Sequence, residues 1–345
     1  MKIMIVTEAW DPQINGVVRT LKMTTRQLTE LGHEVQMLTP DQFFNIPCPT
    51  YPEIRLTIAP THKVRKKIDE FKPDVLHIAT EGPLGWAARK VAIQRGWPFS
   101  TGFHSRFPEY IHMRVKFPLE WSYNALRNFH NAGVSTMVPT VAMLETLREQ
   151  GFTKVIHWSR GVNSELFTPH GDTIERGNGP IFLHVGRIAV EKSIENFLAM
   201  DLPGEKWVAG EGPSRKELQK KYPEVRWFGW LSGEELARLY RSADVFVFPS
   251  RTDTFGLVMI EAMACGTPVA AYPVTGPIDV VGNSEGGVLR EDLRVASLMA
   301  LQLDRRKVAD YGAKFSWDAA TSQFLGALRP IDRAAYRDQK ELIKN

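Results

Sequence analysis

The sequence predicts an α/β protein built from two doubly wound, parallel-sheet domains in series. Three observations carry this expectation. At 345 residues the chain is too long for one ordinary core. Short β-branched runs alternate with longer helical patterns, the rhythm of βαβ units and of a parallel sheet. That rhythm breaks at a polar stretch containing Gly and Pro, "TPHGDTIERGNGP" (168–180), and then restarts, so this stretch reads as a linker.

In order, the first half offers "KIMIVT", a helical "VVRTLKMTTRQLTEL", "EVQMLT", "DVLHIA" and "GVSTMV". The second half offers "IFLHVG", "KWVAG", "VRWFGW", "DVFVFPS" and "PVAAY". Expected boundaries are therefore 1–167, the linker 168–180, a second domain over 181–325 and a C-terminal helical segment over 326–345. Each doubly wound sheet presents ligand sites at the carboxyl ends of its strands, and a cleft between two such domains is the natural place for chemistry.

Composition narrows the class. Apolar residues at 43% and charged residues at 24% describe a globular protein, and 22 prolines and 26 glycines scattered as punctuation exclude collagen-like and low-complexity chains. Cys48 and Cys265 lie far apart with no neighbouring partner, which predicts neither a disulfide framework nor a thiolate metal site. The amino-terminal apolar run is too short for a signal-peptide core and no stretch approaches a membrane span, so the expected location is the cytoplasm. Residues 1–165 hold 20 Lys and Arg against 15 acids, whereas residues 166–345 hold 23 against 24. A basic first half fits an anionic lipid surface, nucleic acid or a phosphorylated substrate.

The stretch "DVFVFPSRTDTFGLVMIEAMACGTPVAAY" reads as strand, loop, helix, stop and strand. The helix is expected to begin near Thr254 or Phe255, with Asp253 in the loop before it and Glu261 one to two turns along it. An Asp in that place is a cap as readily as a ligand. Glu261 lies among apolar neighbours, and a buried carboxylate needs hydrogen-bond donors, which sugar or ribose hydroxyls supply. The free N–H groups at Phe255, Gly256 and Leu257 make an anion site at the helix tip, with Gly256 leaving room for a phosphate. An anion at the tip and hydroxyls along the side describe a nucleotide sugar.

"IFLHVGRIAVEKSIENFL" supplies the counter-charges, Arg187 just after a strand and Lys192 near the next helix start. A cation there opposes the helix dipole and is better placed beside an anion, although Glu191 partly serves. The pair is expected to clamp a diphosphate opposite residues 255–257. In the first half, Gly16 stands at a strand-to-helix crossing, as a turn residue or beside a phosphate, and His104 stands past a strand end, as a structural imidazole or a partner for a sugar hydroxyl. Two segments combine bases with aromatics or helical periodicity: 62–72, with Lys63, Arg65, Lys66 and Lys67, and 106–130, with Arg106 and Tyr110. Both read as a membrane or acceptor face, or as a solvated helix face with ordinary core aromatics. No G-x-G-x-x-G follows a strand, no phosphate-binding G-x-x-x-x-G-K-[ST] occurs, and no nucleic-acid-binding motif accompanies the charge.

The pieces "PQINGVVRTL", "GRIAVEK", "DVFVFPSRTDTFGLVMIEAMACGTPVAAYPVTGP" and "FSW" together resemble the family 4 glycosyltransferases of GT-B fold, over essentially the whole chain. The resemblance implies two facing Rossmann-like domains, with the C-terminal segment packing back on the first. It implies a nucleotide-sugar donor held mainly by the second domain, an acceptor held by the first, and transfer with retention; with Arg187, Lys192 and the tip at 255–257 to stabilise the departing charge, neither a metal nor a cofactor is expected. By position it makes Glu261 the ribose-binding acid, Asp253 the acid at the donor sugar where the family more commonly has Glu, and Arg187 and Lys192 the diphosphate pair. It likewise places Gly16 beside the phosphates, His104 near the transferred sugar, and the loop "FGWL" with Trp230 against the base. "EGPLG" (81–85) and "FHSRFPEY" (103–110) are similar to bacterial GDP-mannose-dependent α-mannosyltransferases and to enzymes that glycosylate diacylglycerol. That closer likeness implies a lipid acceptor and peripheral contact with the inner face of an anionic cell membrane. A non-lipid glycan acceptor, a catalytically silent nucleotide-sugar binder and a relative that turns over a nucleotide sugar without acceptor are the alternatives.

Overall fold

The computed structural model describes residues 1–332 apart from 14, 49–50, 59, 110–111 and 113–115, with the backbone alone at 51–54. The chain divides into two compact units, Met1–Ser159 with the segment from Ala320 onward, and Arg160–Ala319. Residues 168–180 fall inside the second unit, and the crossing back to the first occurs within the helix Trp317–Ala327. Of the expected C-terminal helix 326–345, residues 326–327 belong to the helix Trp317–Ala327 and 328–332 are not helical, while 333–345 lie outside the described residues, as does Tyr110.

In the first unit, β1 (Lys2–Val6), β2 (Glu34–Leu38), β5 (Val75–Ile78), β6 (Ser100–Gly102), β7 (Ser135–Val138) and β8 (Val155–His157) form a parallel sheet in the order β2-β1-β5-β6-β7-β8. The strand β1 is apolar without alternation because both faces of a parallel sheet are covered. Its Ile3 and Ile5 join one core with Leu21, Leu28, Trp158 and Phe324, while Met4 and Val6 join another with Val64, Ile68 and Leu84. Between β2 and β5 the chain makes an antiparallel pair, β3 (Asn45–Cys48) with β4 (Tyr51–Thr57).

In the second unit, β9 (Ile181–Val185), β10 (Glu205–Ala209), β11 (Arg226–Gly229), β12 (Val245–Phe248), β13 (Val269–Ala271) and β14 (Gly287–Leu289) form a parallel sheet ordered β11-β10-β9-β12-β13-β14. The order reverses between β9 and β12. In an open parallel sheet such a reversal opens a crevice at the carboxyl ends of the two central strands, because their following segments run to opposite faces. No helix among the described residues is long and apolar enough to cross a membrane.

Candidate functional site

The reversal point of the second unit is where Arg187, Lys192, Asp253 and the helix tip at 255–257 come together. The ladder between β9 and β12 consists of Phe182 opposite Val245 and Leu183 opposite Phe246, although both strands continue beyond it. One side of the opening is the turn after β9, which carries Arg187 and a short 3-10 turn Val190–Lys192. The other is the loop after β12, running from Pro249 to Gly256. Lys192 and Asp253, 61 residues apart, meet across it as an ion pair through Nζ and Oδ1, with side chains 21% and 18% exposed. Thr252 Oγ1 donates to the Glu191 carbonyl at 3.2 Å, tying the same two segments. Arg187 Nε lies 4.0 Å from Glu191 Oε1.

The helix begins later than the local pattern predicts. It spans Leu257–Ala264 with Gly256 as its N-cap at φ +88°, and no side chain caps it. Asp253 is therefore a partner of Lys192 rather than a cap. Gly256 is required for its left-handed φ and because a Cβ there would stand 2.7 Å from Met259 Cε and 3.1 Å from Phe248 Cζ. Among the described residues the amides of Phe255, Gly256 and Leu257 donate to no backbone carbonyl, which leaves those N–H groups available to an acceptor. Lys192 closes a 3-10 turn and stands three residues before the α-helix Glu195–Leu198, near a helix start as expected, although a helix of a single turn carries little dipole for the ammonium to oppose.

Glu261, 3% exposed, sits on the fifth position of the helix and accepts from Tyr240 Oη at 3.2 Å. Tyr240 is a donor that the sequence reading missed, since it comes from the neighbouring helix Gly233–Ser242. His184 is a second omission. It occupies β9, is 2% exposed, and its Nδ1 lies 3.1 Å from the Val247 carbonyl. Burial pushes its pKa down to about 4, and the charges of Lys192 and Asp253 both act on the ring. The signal was present as the one polar residue in the apolar run "IFLHV". Trp230 follows β11 directly and is 51% exposed.

In the first unit, His104 lies just past β6. Its ring meets Trp158 edge-on at 5.7 Å, and a Cβ on Gly102 would stand 2.6 Å from His104 Nε2, so the glycine makes room for the imidazole. Gly16 opens the helix Gly16–Glu30, whose cap is Asn15, accepting from the amides of Val17 and Val18 at 3.0 Å each. At the end of β1 the buried Glu8 accepts from the amides of Thr57 and Leu84, the latter at 3.0 Å. Burial nonetheless raises its pKa, with those two amides working against the rise. Beside it in the fold order, Glu81 after β5 pairs with buried His130 at 3.0 Å.

The basic segment forms the helix Thr61–Phe71, which buries Val64, Ile68 and Phe71 and exposes Lys63, Arg65 and Lys66, with Lys67 half-buried. Trp86 and Ile93 are exposed on the helix Pro83–Gln94, whose Gln94 accepts from Arg65 at 2.6 Å. Arg106 is not free: it pairs with Glu109 at 2.6 Å, and Tyr123 also donates to that carboxylate. Nearby in sequence, Phe117, Leu119 and Trp121 are exposed, Trp121 at 70%.

Comparison with known proteins agrees with this architecture. Residues 14–166 match the family described as Glycosyltransferase Family 4, and residues 179–302 match the Glycosyl transferases group 1 family. The chain is 32% identical to the sulfoquinovosyl transferase SQD2 of Arabidopsis thaliana, over 90% of this chain and 69% of that protein. It is 30% identical to a GDP-mannose-dependent alpha-mannosyltransferase of Mycolicibacterium smegmatis, over 84% of each chain. The sucrose-phosphate synthase structure from Thermosynechococcus elongatus superposes with a TM-score of 0.77 at 22% identity, covering 94% of this chain and 97% of that one. Two parallel Rossmann-like sheets, the matched sequence families and these relatives lead to one assignment: the chain belongs to the family 4 glycosyltransferases and has the GT-B fold.

Proposed function

We propose that this glycosyltransferase is a retaining hexosyltransferase that moves a hexose from a nucleoside diphosphate sugar, GDP-mannose or a UDP-hexose, to a lipid acceptor such as diacylglycerol. The observation that carries the donor half is the pairing of Lys192 with Asp253 across the reversal point, beside Arg187 and the uncapped helix tip at 255–257. Breaking the bond between the anomeric carbon and the diphosphate leaves an oxocarbenium-like sugar and places more negative charge on the phosphate oxygens. The Arg187 guanidinium, the Lys192 ammonium and the tip amides stabilise that departing charge. Glu261 accepts from the ribose hydroxyls, Trp230 lies against the base, and Asp253 accepts from a hydroxyl of the donor sugar. The acceptor oxygen attacks the face that the diphosphate leaves, its proton passes to the leaving phosphate, and the configuration is kept. His104 serves a sugar hydroxyl and Gly16 stands beside phosphate.

The acceptor half rests on the exposed cations of the helix Thr61–Phe71 and on the exposed aromatics at 117–121 of the first unit, a composition suited to an anionic interface. It accords with the resemblance of "EGPLG" and "FHSRFPEY" to diacylglycerol glycosyltransferases. The test is incubation with GDP- and UDP-sugars, each with diacylglycerol in vesicles, with soluble glycans, and with no acceptor, scoring diphosphate release and a new glycolipid. Release that depends on diacylglycerol supports the reading. Release only with soluble glycans would move the acceptor class, and release with no acceptor would remove the transferase assignment.

A further inference from the structure

His184 has no place in the chemistry just described, yet it stands where β9 and β12 cease to pair. Its Nδ1 is 3.1 Å from the Val247 carbonyl. A carbonyl only accepts, so Nδ1 carries the hydrogen, and in the neutral ring Nε2 is then a bare acceptor. That nitrogen is buried and has no hydrogen-bond partner among the described residues. Leaving a buried acceptor unmatched costs stability, and a polar residue in the middle of a parallel strand has no packing advantage over Leu or Val. The ring lies beneath the turn that carries the diphosphate pair: a Cβ on Gly186 would stand 3.4 Å from Nε2. Phe197, just beyond that turn, lies 6.4 Å from it centroid to centroid. Lys192 and Asp253 both act electrostatically on the ring.

A difference in charge separates a carboxylate from a neutral imidazole as acceptor for the Lys192 ammonium. Asp253 neutralises the ammonium that it holds, whereas a neutral imidazole nitrogen fixes an ammonium and leaves its charge for an anion. We propose that His184 is a positioning residue for the donor pyrophosphate: Nε2 accepts from the Lys192 ammonium when the donor draws Lys192 away from Asp253, and holds it toward the phosphates. The inference rests on the donor-site reading above and adds to it the residue that orients the lysine.

The experiment is calorimetric titration of the full chain with GDP and, separately, UDP, for wild type, His184→Phe, His184→Gln, Lys192→Ala and the double variant His184→Phe with Lys192→Ala. Phe keeps the ring volume and removes both nitrogens; the Gln amide reaches the place of Nε2 and offers an acceptor oxygen. Expected are about tenfold weaker binding for His184→Phe, as for one lost buried hydrogen bond to a charged group, and recovery of most of that loss in His184→Gln. In the Lys192→Ala background the Phe substitution should change affinity by less than about twofold, because its route of action is gone. Unchanged affinity in His184→Phe, an equal loss in both backgrounds, or Gln no better than Phe would each overturn the proposal while leaving the donor site standing. Wild-type protein that binds neither nucleotide would instead remove the donor-site reading and this inference with it.

Discussion

Replacing Asp253 by Asn separates the two tasks proposed for that loop. Two unit charges about 4 Å apart at an effective dielectric of about 20 attract by about 4 kcal/mol before solvent competition. The Lys192 and Asp253 side chains are 21% and 18% exposed, so water screens part of this and a net value of about 1–2 kcal/mol is appropriate. A diphosphate that recruits Lys192 works against that attraction. Asn keeps the shape and one acceptor oxygen but frees the ammonium, so GDP or UDP should bind as tightly as to wild type or up to about tenfold more tightly. Turnover should fall by about 10²-fold, since the carboxylate proposed to face the donor sugar is lost. The assay is nucleotide affinity by calorimetry beside kcat for diphosphate release with donor and acceptor. A parallel loss of affinity and kcat would refute the reasoning, because Asp253 would then serve only to hold Lys192 in place.

Three further outcomes are expected. The pKa of His184 is lowered in the folded state to about 4 from an ordinary 6.5, so folding stability is complete above pH 6.5 and falls as the unfolded chain takes up the proton below it. Urea unfolding should show wild type losing about 3 kcal/mol between pH 7 and pH 4 that His184→Phe does not lose; equal slopes would mean that the ring is not buried and neutral. Gly102→Ala places a methyl group 2.6 Å from His104 Nε2 and should lower kcat by about tenfold through displacement of the ring, with melting little changed, and unchanged kcat would detach His104 from the reaction. Replacing Lys63, Arg65 and Lys66 together by Ala should cost about 1 kcal/mol each in binding to anionic vesicles measured by flotation, with a loss that shrinks as salt is added; salt-independent binding would place the membrane contact elsewhere.

The strand run "KIMIV" and its counterparts "VLHI", "IFLHV" and "VFVF" were legible because strands covered on both faces show continuous apolar character. The restart of that rhythm after 180 disclosed two sheets, and charge and helix-end chemistry picked out Arg187, Lys192 and the tip at 255–257. The β3 and β4 pair escaped notice, since Pro47 and Pro52 argue against a strand in local terms and are tolerated only where a pair stands apart from the main sheet. The later start of the Leu257–Ala264 helix escaped too, because an Asp before an apolar run imitates a cap.

By itself, then, the sequence determined the fold class, the family and the kinds of charged group available for a diphosphate, because periodicity and local end chemistry are short-range properties of the chain. Only the tertiary structure decided the strand order, and with it that Lys192 meets Asp253, that Tyr240 donates to Glu261, and that His184 stands in the gap where β9 and β12 part. Those partners lie 21 to 63 residues apart, and such distant meetings are set by how helices cover a reversed sheet order, which no local window of sequence records.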